Sequence, residues 1–287
     1  MWTQIAEHIT QSTGQRFESL DRRSVSGGCI NQGYQVTDGT QTYFVKLNQA
    51  SQVAMFAAEA LGLQQMNETG TILVPNPICW GTVEGSAYLV LEWLDLERGT
   101  SQTWEEMGRQ LARLHQVKKV TAFGWERDNT IGATPQINSW TSDWSDFFTH
   151  HRIGYQIQLA RQKGGHFPQS DRLLAAIPEL LKNHHPQPSL VHGDLWSGNA
   201  AATRSGEPVM FDPATYWGDR EVDLAMTELF GGFPAEFYQG YDQAFPLEPG
   251  YKPRKTLYNL YHVLNHFNLF GGSYESQSNR MIQQLLS

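Results

Sequence analysis

The sequence predicts an α+β fold in two lobes, a small β-rich lobe over residues 1–95 and a larger, mostly helical lobe over 96–287. Three observations carry this. Before residue 96, β-type residues group around the turn dipeptides Asp38-Gly39 and Glu84-Gly85. After it, apolar residues recur at helical spacing over several segments. No internal repeat and no low-complexity linker divides the chain further.

Taken in order, residues 17–48 read as strands, with Tyr34, Val36, Tyr43, Phe44 and Val45 on either side of the Asp38-Gly39 turn. The Ala-rich stretch 51–70 reads as a helix, because Phe56, Ala60 and Leu63 fall close to one face. Residues 74–96 give two more strands about Glu84-Gly85. The expected order is strand, strand, strand, helix, strand, strand, with a junction near 93–98. Beyond it, Thr103 to Glu106 reads as a capping box opening a helix that carries Met107, Leu111 and Leu114 on one side. Residues 143–160 and 171–182 are further helices, the latter weakened by Pro178. A strand pair, "SLVHG" with "PVMFD", interrupts this region, and helices run from Asp223 to the end.

Composition narrows the function. The chain has 287 residues, 40% of them hydrophobic, with nine Trp and fourteen Phe, enough for a sizeable core. A formal charge of −8, with no basic stripe, argues against nucleic-acid binding. No run of eighteen apolar residues is present, so no membrane span is expected, and the first fifteen residues do not read as a signal peptide. Two cysteines, Cys29 and Cys79, exclude a disulfide framework and fit a reducing, cytoplasmic setting.

The chemistry concentrates in "LVHGDLWSGNA", residues 190–200. Asp, Gly, Ser and Asn are ordinary turn formers, so the cluster gains meaning only from its company. A Gly-containing turn, "SGGCINQG" with Gly28, precedes the strand residue Lys46, and Glu59 follows thirteen residues later on the helix. A helix Glu can hold a strand Lys so that the ammonium reaches the α- and β-phosphates of ATP. Asp194 then stands where an acceptor hydroxyl could meet it. Asn199 and Asp212, the latter at the end of a hairpin turning at Ser205-Gly206, offer hard oxygens to Mg2+. Zinc is a poor alternative, because the two Cys are far from each other and from the His residues. Together these are the parts of a phosphotransferase of the protein-kinase type.

"HGDLWSGN" resembles the catalytic-loop signature of the fructosamine kinase, or ketosamine 3-kinase, family, within the aminoglycoside phosphotransferase and choline kinase superfamily. The similarity runs through "GGCIN" (27–31), "MFAAEALGL" (55–63), "LVLEWLDL" (89–96), "GRQLARLHQ" (108–116), "IGATPQIN" (131–138), "FDPATYWGDREVDLAMTELFGGF" (211–233) and "LNHFNLFGGSY" (264–274). It implies a bilobal protein-kinase-like fold, with Asp194 as catalytic base and Asn199 and Asp212 as Mg2+ ligands. Gly28, Lys46 and Glu59 would serve the ATP phosphates, and Glu92, Trp93 and Leu94 would offer hinge backbone groups to adenine. Asp219, Glu221 and Asp223 would be mainly structural. The chain departs from protein kinases where Gly193 replaces an Arg and Asp212-Pro213-Ala214 replaces Asp-Phe-Gly. Only six residues separate Asp212 from Asp219, too few for a peptide-docking activation loop.

The implied acceptor is the C3 hydroxyl of a ketoamine, the sugar adduct of a small amine or a protein lysine, in a deglycation role. Trp196 would be a sugar-facing platform, although a lobe-packing Trp reads as well from the residue alone. His266 resembles a motif His that faces the acceptor. The resemblance also implies that Cys29 is a redox-sensitive thiol in an otherwise monomeric protein, giving an oxidant-dependent disulfide dimer, whereas Cys79 reads as a buried apolar residue. Two other readings stand beside this one: a superfamily kinase for an amino sugar or amino alcohol, and a nucleotide-binding pseudokinase. The complete set Lys46, Glu59, Asp194, Asn199 and Asp212 speaks against the pseudokinase.

Overall fold

A computed structural model of the chain describes residues 1–18, 21–25 and 30–287. The first element is a helix, α1 (Trp2–Thr13), closed by Gly14 in the left-handed conformation at φ 71°. It corrects the sequence expectation, which placed only strands ahead of residue 50. Its signal is a narrow stripe, Ile5, Ala6 and Ile9, set in a polar, Thr-containing segment. Three strands follow, β1 (Asp21–Val25), β2 (Gln32–Thr37) and β3 (Thr42–Gln49), then helix α2 (Val53–Asn67), then β4 (Pro77–Val83) and β5 (Ser86–Glu92). From residue 21 onward this is the expected order. The strands form one antiparallel sheet in the order β1-β2-β3-β5-β4.

Burial on both faces decides how this sheet is used. Tyr43, Val45, Leu47, Tyr88 and Val90 pack with α1 on one side. Ala87, Leu89 and Leu91 alternate onto the other side, against Phe56, Leu63 and Met66 of α2. Lys46 shares this second face of β3, so period-2 alternation aims it toward α2 and the interior. The core beneath α2 is continuous with Leu111, Leu190 and Leu264 of the second half. Residues from either side of position 95 thus share one apolar cluster.

The second half opens with β6 (Leu96–Glu97) and α3 (Ser101–His115). The N-cap of α3 is Thr100, whose side chain accepts from the Thr103 N–H while the Thr103 hydroxyl accepts from the Thr100 N–H. The capping box thus lies three residues ahead of the expected one, because a Thr at the third helical position closes it in place of Glu106. A short hairpin, β7 (Asn129–Ile131) and β8 (Thr134–Gln136), comes next. Helix α4 (Trp144–Phe147), a π-helical stretch over Phe148–Gly154 and α5 (Tyr155–Gln162) then run as one rod. Helix α6 (Ser170–Leu181) absorbs Pro178.

Strands β9 (Ser189–Val191), β10 (Ala200–Thr203), β11 (Pro208–Met210) and β12 (Tyr216–Gly218) carry the site. Here a second expectation fails: "SLV" and "PVM" are not partners. β9 pairs with β12 and β11 with β10, and β10 also pairs with β6. Each strand has only three or four residues, too short a pattern to specify a partner. Helices α7 (Glu221–Thr227), α8 (Ala235–Ala244), α9 (Tyr251–Phe270) and α10 (Tyr274–Leu285) complete the chain. No helix among the described residues is long and apolar enough to cross a membrane.

Candidate active site

Lys46 is the hinge of the site's electrostatics. Its ammonium, 5% exposed, lies 2.6 Å from Glu59 Oε1 and also donates to Asp212 Oδ1. Burial alone would lower this ammonium, but the Asp212 and Glu59 carboxylates outweigh it and hold it above its ordinary value. One cation thus ties β3, α2 and the segment after β11 together. The Asp212 side chain stays 44% exposed at the cleft, and its backbone sits at φ 57°, a left-handed conformation uncommon outside glycine.

The loop after β9 supplies the second carboxylate. His192 Nδ1 accepts from the Asp194 N–H (3.2 Å), so its Nε2–H donates to Phe211 O (2.9 Å). Burial lowers the His192 pKa, in keeping with a neutral ring. Gly193 turns the chain at φ 82°, and a Cβ there would lie 2.2 Å from Ala214 O, so glycine is required twice over. Asp194 then faces the cleft. Burial pushes its carboxyl up to about 7, with the negative charges of Asp212 and Asp223 adding to it. Asn199 folds back to donate from Nδ2 to Asp194 O (2.9 Å) and, more weakly, to Oδ2 (3.4 Å). The hairpin places Phe211 N–H on Asn199 O (3.1 Å), which brings Asp212 beside Asn199.

Asp223, fully buried at the start of α7, holds this loop from below. It accepts from His192 N–H (2.7 Å), Gly193 N–H (2.8 Å) and His115 Nε2 (3.1 Å). Burial would raise its carboxyl, but the bonds from His115 and the loop backbone depress it. His192 belongs to the quoted loop motif but carried no role of its own there, whereas His115 did not stand out; its signal was its place beside the apolar core residue at 114. Asp219 accepts from His184 Nε2 (2.6 Å), Tyr258 OH (2.5 Å) and Glu221 N–H (3.0 Å). Glu221 is gripped at both oxygens by Arg254, each at 2.7 Å. The grouping of His184, Asp219 and Glu221 has the spacing of a metal cluster, yet His184 Nε2 and the carboxylates of Asp219 and Glu221 are taken up by these bonds, and the three act as structural posts.

The donor chemistry at the cleft suits a magnesium ion. Asp212 offers a carboxylate at the surface, and Asn199, with its Nδ2 committed to Asp194, has its amide oxygen as the group left for a metal. Other expected residues distribute unevenly. The Glu92 N–H is taken by Asn76 O (2.8 Å), so of the backbone groups at 92 the carbonyl is the one left to offer. Trp93 itself donates from Nε1 to Asp95 (2.9 Å) and leans on Phe44. The Trp196 ring is 39% exposed and folded over Gly198, where a Cβ would fall 2.2 Å from the ring. His266 is held by its Nδ1–H on His262 O (2.8 Å), among Phe230, Phe270 and Tyr274. None of these contacts touches Asp194 or Trp196. Gly28 and Cys29 lie outside the described residues. Cys79 is 3% exposed.

Known proteins carry the same architecture. The crystal structure of a fructosamine-3-kinase homologue from Haemophilus somnus 129PT superposes with a TM-score of 0.94 at 34% identity, covering 100% of this chain and 98% of that one. An aminoglycoside phosphotransferase in ternary complex with AMP-PNP and hygromycin B superposes with a TM-score of 0.67 at 16% identity over 98% of both chains, which shows a shared protein-kinase-like fold. In sequence, a "Probable ketoamine kinase" of Synechocystis is 61% identical over 99% of this chain and 97% of its own length. The chloroplastic protein-ribulosamine 3-kinase of Arabidopsis thaliana is 44% identical over 92% of this chain and 82% of its own. The fructosamine kinase family profile matches residues 1–287. The chain therefore belongs to the fructosamine kinase family and is a kinase that phosphorylates a hydroxyl group.

Proposed function

We propose that the protein transfers the γ-phosphoryl group of ATP to the C3 hydroxyl of a ketoamine, with ribulosamine, erythrulosamine and fructosamine adducts of amines or protein lysines as the acceptor class. The observation that carries this reading is the convergence of Asp194, Asn199, Asp212 and Lys46 on one cleft. The Arabidopsis relative, named for ribulosamine, supports the acceptor class.

The chemistry is positioning and charge neutralisation. Lys46, oriented by Glu59, reaches the α- and β-phosphates. Asn199 and Asp212 would hold Mg2+, which when bound neutralises phosphate charge. Asp194 takes the proton of the acceptor hydroxyl as its oxygen bonds to the γ-phosphorus and the bond to the bridging oxygen breaks, releasing ADP. Trp196 offers an exposed aromatic face to the sugar and to the nearby ammonium. Adenine meets backbone at Glu92, Trp93 and Leu94, while His266 borders the acceptor. The product carries phosphate two carbons from the amine-bearing carbon with the ketone between them. Enolisation toward that carbon expels phosphate, and hydrolysis then frees the amine, which makes the reaction a repair step in a reducing, cytoplasmic setting.

The test is ADP formation with ribulose-, erythrulose- and fructose-lysine adducts beside choline and aminoglycosides, with the phosphorylated product identified by mass. Turnover of a ketoamine is expected. Turnover of choline or an aminoglycoside alone, or of nothing, overturns the reading.

A further inference from the structure

The segment that follows Asp212 has no sheet to hold it until β12 begins at Tyr216. Its backbone is held instead by side-chain amides of the β7–β8 hairpin. Gln136 Nε2 donates to Ala214 O (3.0 Å), and Asn129 Nδ2 donates to Thr215 O (2.9 Å). The Ala214 N–H donates to His192 O (2.8 Å), joining the same segment to the Asp194 loop. All of these groups are buried.

Amides can point either way, and here the run is fixed at both ends, by donor-only Arg152 at one and by the acceptor-only carbonyls of residues 214 and 215 at the other. Arg152 is fully buried in the π-helical stretch and, among the described residues, pairs with no carboxylate. Its guanidinium donates to Ile137 O (2.6 Å), His151 O (3.1 Å) and Asn138 Oδ1 (2.8 Å), and its Nε finds no acceptor. It lies over the rings of Tyr216 (4.0 Å) and Phe147 (4.6 Å). Arg can only donate, so Asn138 must turn its oxygen toward Arg152 and its Nδ2 toward Asn129 Oδ1 (2.8 Å). Asn129 Oδ1, receiving also Gln136 Nε2 (2.8 Å), must then present its own Nδ2 to Thr215 O. The hydroxyl of Tyr261 fixes the other end of Gln136 (2.7 Å). Every step has one direction.

A buried cation without a counter-ion is a costly way to fill a core, and an apolar side chain of similar volume would be at least as stable. π-helical insertions recur at functional sites. Tyr216, stacked on Arg152, also packs against the position of Gly193, at 3.4 Å from where a Cβ would stand. We propose that Arg152, acting through Asn138, Asn129 and Gln136, is a positioning residue that sets the backbone of residues 213–216 and so the direction of the Asp212 carboxylate. The inference rests on the assignment of Asp212 to the Mg-nucleotide site.

The test compares Arg152→Met, Arg152→Lys, Asn129→Leu and the double variant Arg152→Met/Asn129→Leu. Turnover should fall about 10- to 100-fold in Arg152→Met and Asn129→Leu, the scale of a misplacement of about 1 Å, with the acceptor KM within about twofold. Arg152→Lys, still a pure donor, should recover part of the loss. The double variant should be no slower than the slower single one, because both break the same relay. Binding of AMP-PNP with and without Mg2+, measured by calorimetry, reads Asp212 without any acceptor, and the enhancement by Mg2+ should shrink in both single variants. If the wild-type protein phosphorylates no ketoamine, the acceptor assignment fails while this titration still decides the relay. Should Arg152→Met not fold, Asn129→Leu carries the test. Turnover and Mg2+ enhancement within about twofold of wild type in Asn129→Leu, or losses that multiply in the double variant, would overturn the proposal.

Discussion

Replacing Asp194 with Asn should stabilise the protein while nearly silencing it. The two side chains are isosteric, and Asn keeps an oxygen for the Asn199 amide. In the free protein, burial together with Asp212 and Asp223 moves the carboxyl from 3.8 to about 7. A tenfold change in proton affinity is worth about 1.4 kcal/mol, so at pH 8 the ionised folded state carries a penalty of at most about 4 kcal/mol. Asp194 keeps partial access to water at the cleft, and we expect roughly half of that to be recovered by Asn. The sign follows from linkage. Because the folded pKa lies above the unfolded one, the folded protein holds the proton between about pH 4 and 7, and wild type loses stability as pH rises through that window. The Asn variant does not. Thermal unfolding in EDTA without nucleotide, at pH 4.5 and 8, measures this directly. At about 2–4 °C per kcal/mol for a chain of this size, the variant should melt roughly 4–8 °C higher at pH 8 and close to wild type at pH 4.5. Turnover should fall by about 10²–10⁴ with ATP binding kept. A gain at both pH values, or none at pH 8, would refute the electrostatic reasoning, and retained turnover would move the base elsewhere.

Asp212→Asn should fold, since Asn tolerates the left-handed backbone at φ 57°, but should lose activity and the Mg2+ dependence of nucleotide affinity in calorimetric titration. Asp212→Ala should do the same at an added cost of about 1 kcal/mol from the strained backbone, seen in chemical denaturation. His184 faces Asp219, Glu221, Glu248 and Arg254; burial would lower its pKa, but the Asp219 bond and the neighbouring carboxylates raise it, while the bonds from His184 and Tyr258 hold the buried Asp219 down. The pair therefore stabilises most between about pH 4 and 6.5 and loses its effect as pH rises through the folded His184 pKa, so the melting-temperature deficit of His184→Gln should be larger at pH 5.5 than at pH 9. Burial pushes the Cys79 thiol up to about 12, which disfavours it as an oxidant target, and the family resemblance is what points to Cys29. Mild oxidant should give a reducible dimer with loss of activity, and ATP should protect against both. Non-reducing electrophoresis of Cys29→Ser, with matched activity assays, should show neither effect.

Residue type and spacing were enough to mark the residues that the structure brings together at the cleft. Lys46 with Glu59 and the run from Asp194 to Asn199 are close in sequence, and strand alternation, helix pitch and a Gly turn bring such residues together with little help from the rest of the chain. Tertiary structure decided what depends on distant partners. Helix α1 is stable because the outer face of the sheet covers Ile5 and Ile9, something its short apolar stripe could not announce. β9 pairs with β12 rather than β11, and the approach to β12 is held by side chains that cap the carbonyls of residues 214 and 215 from 78 and 86 residues earlier in the chain. Buried Arg152 reads in sequence as one more cation on a helix. Its meaning lies in the absence of any carboxylate partner among the described residues and in the direction it helps impose on three amides, and both are properties of an assembled interior, where an unmade hydrogen bond costs more than a local propensity can repay.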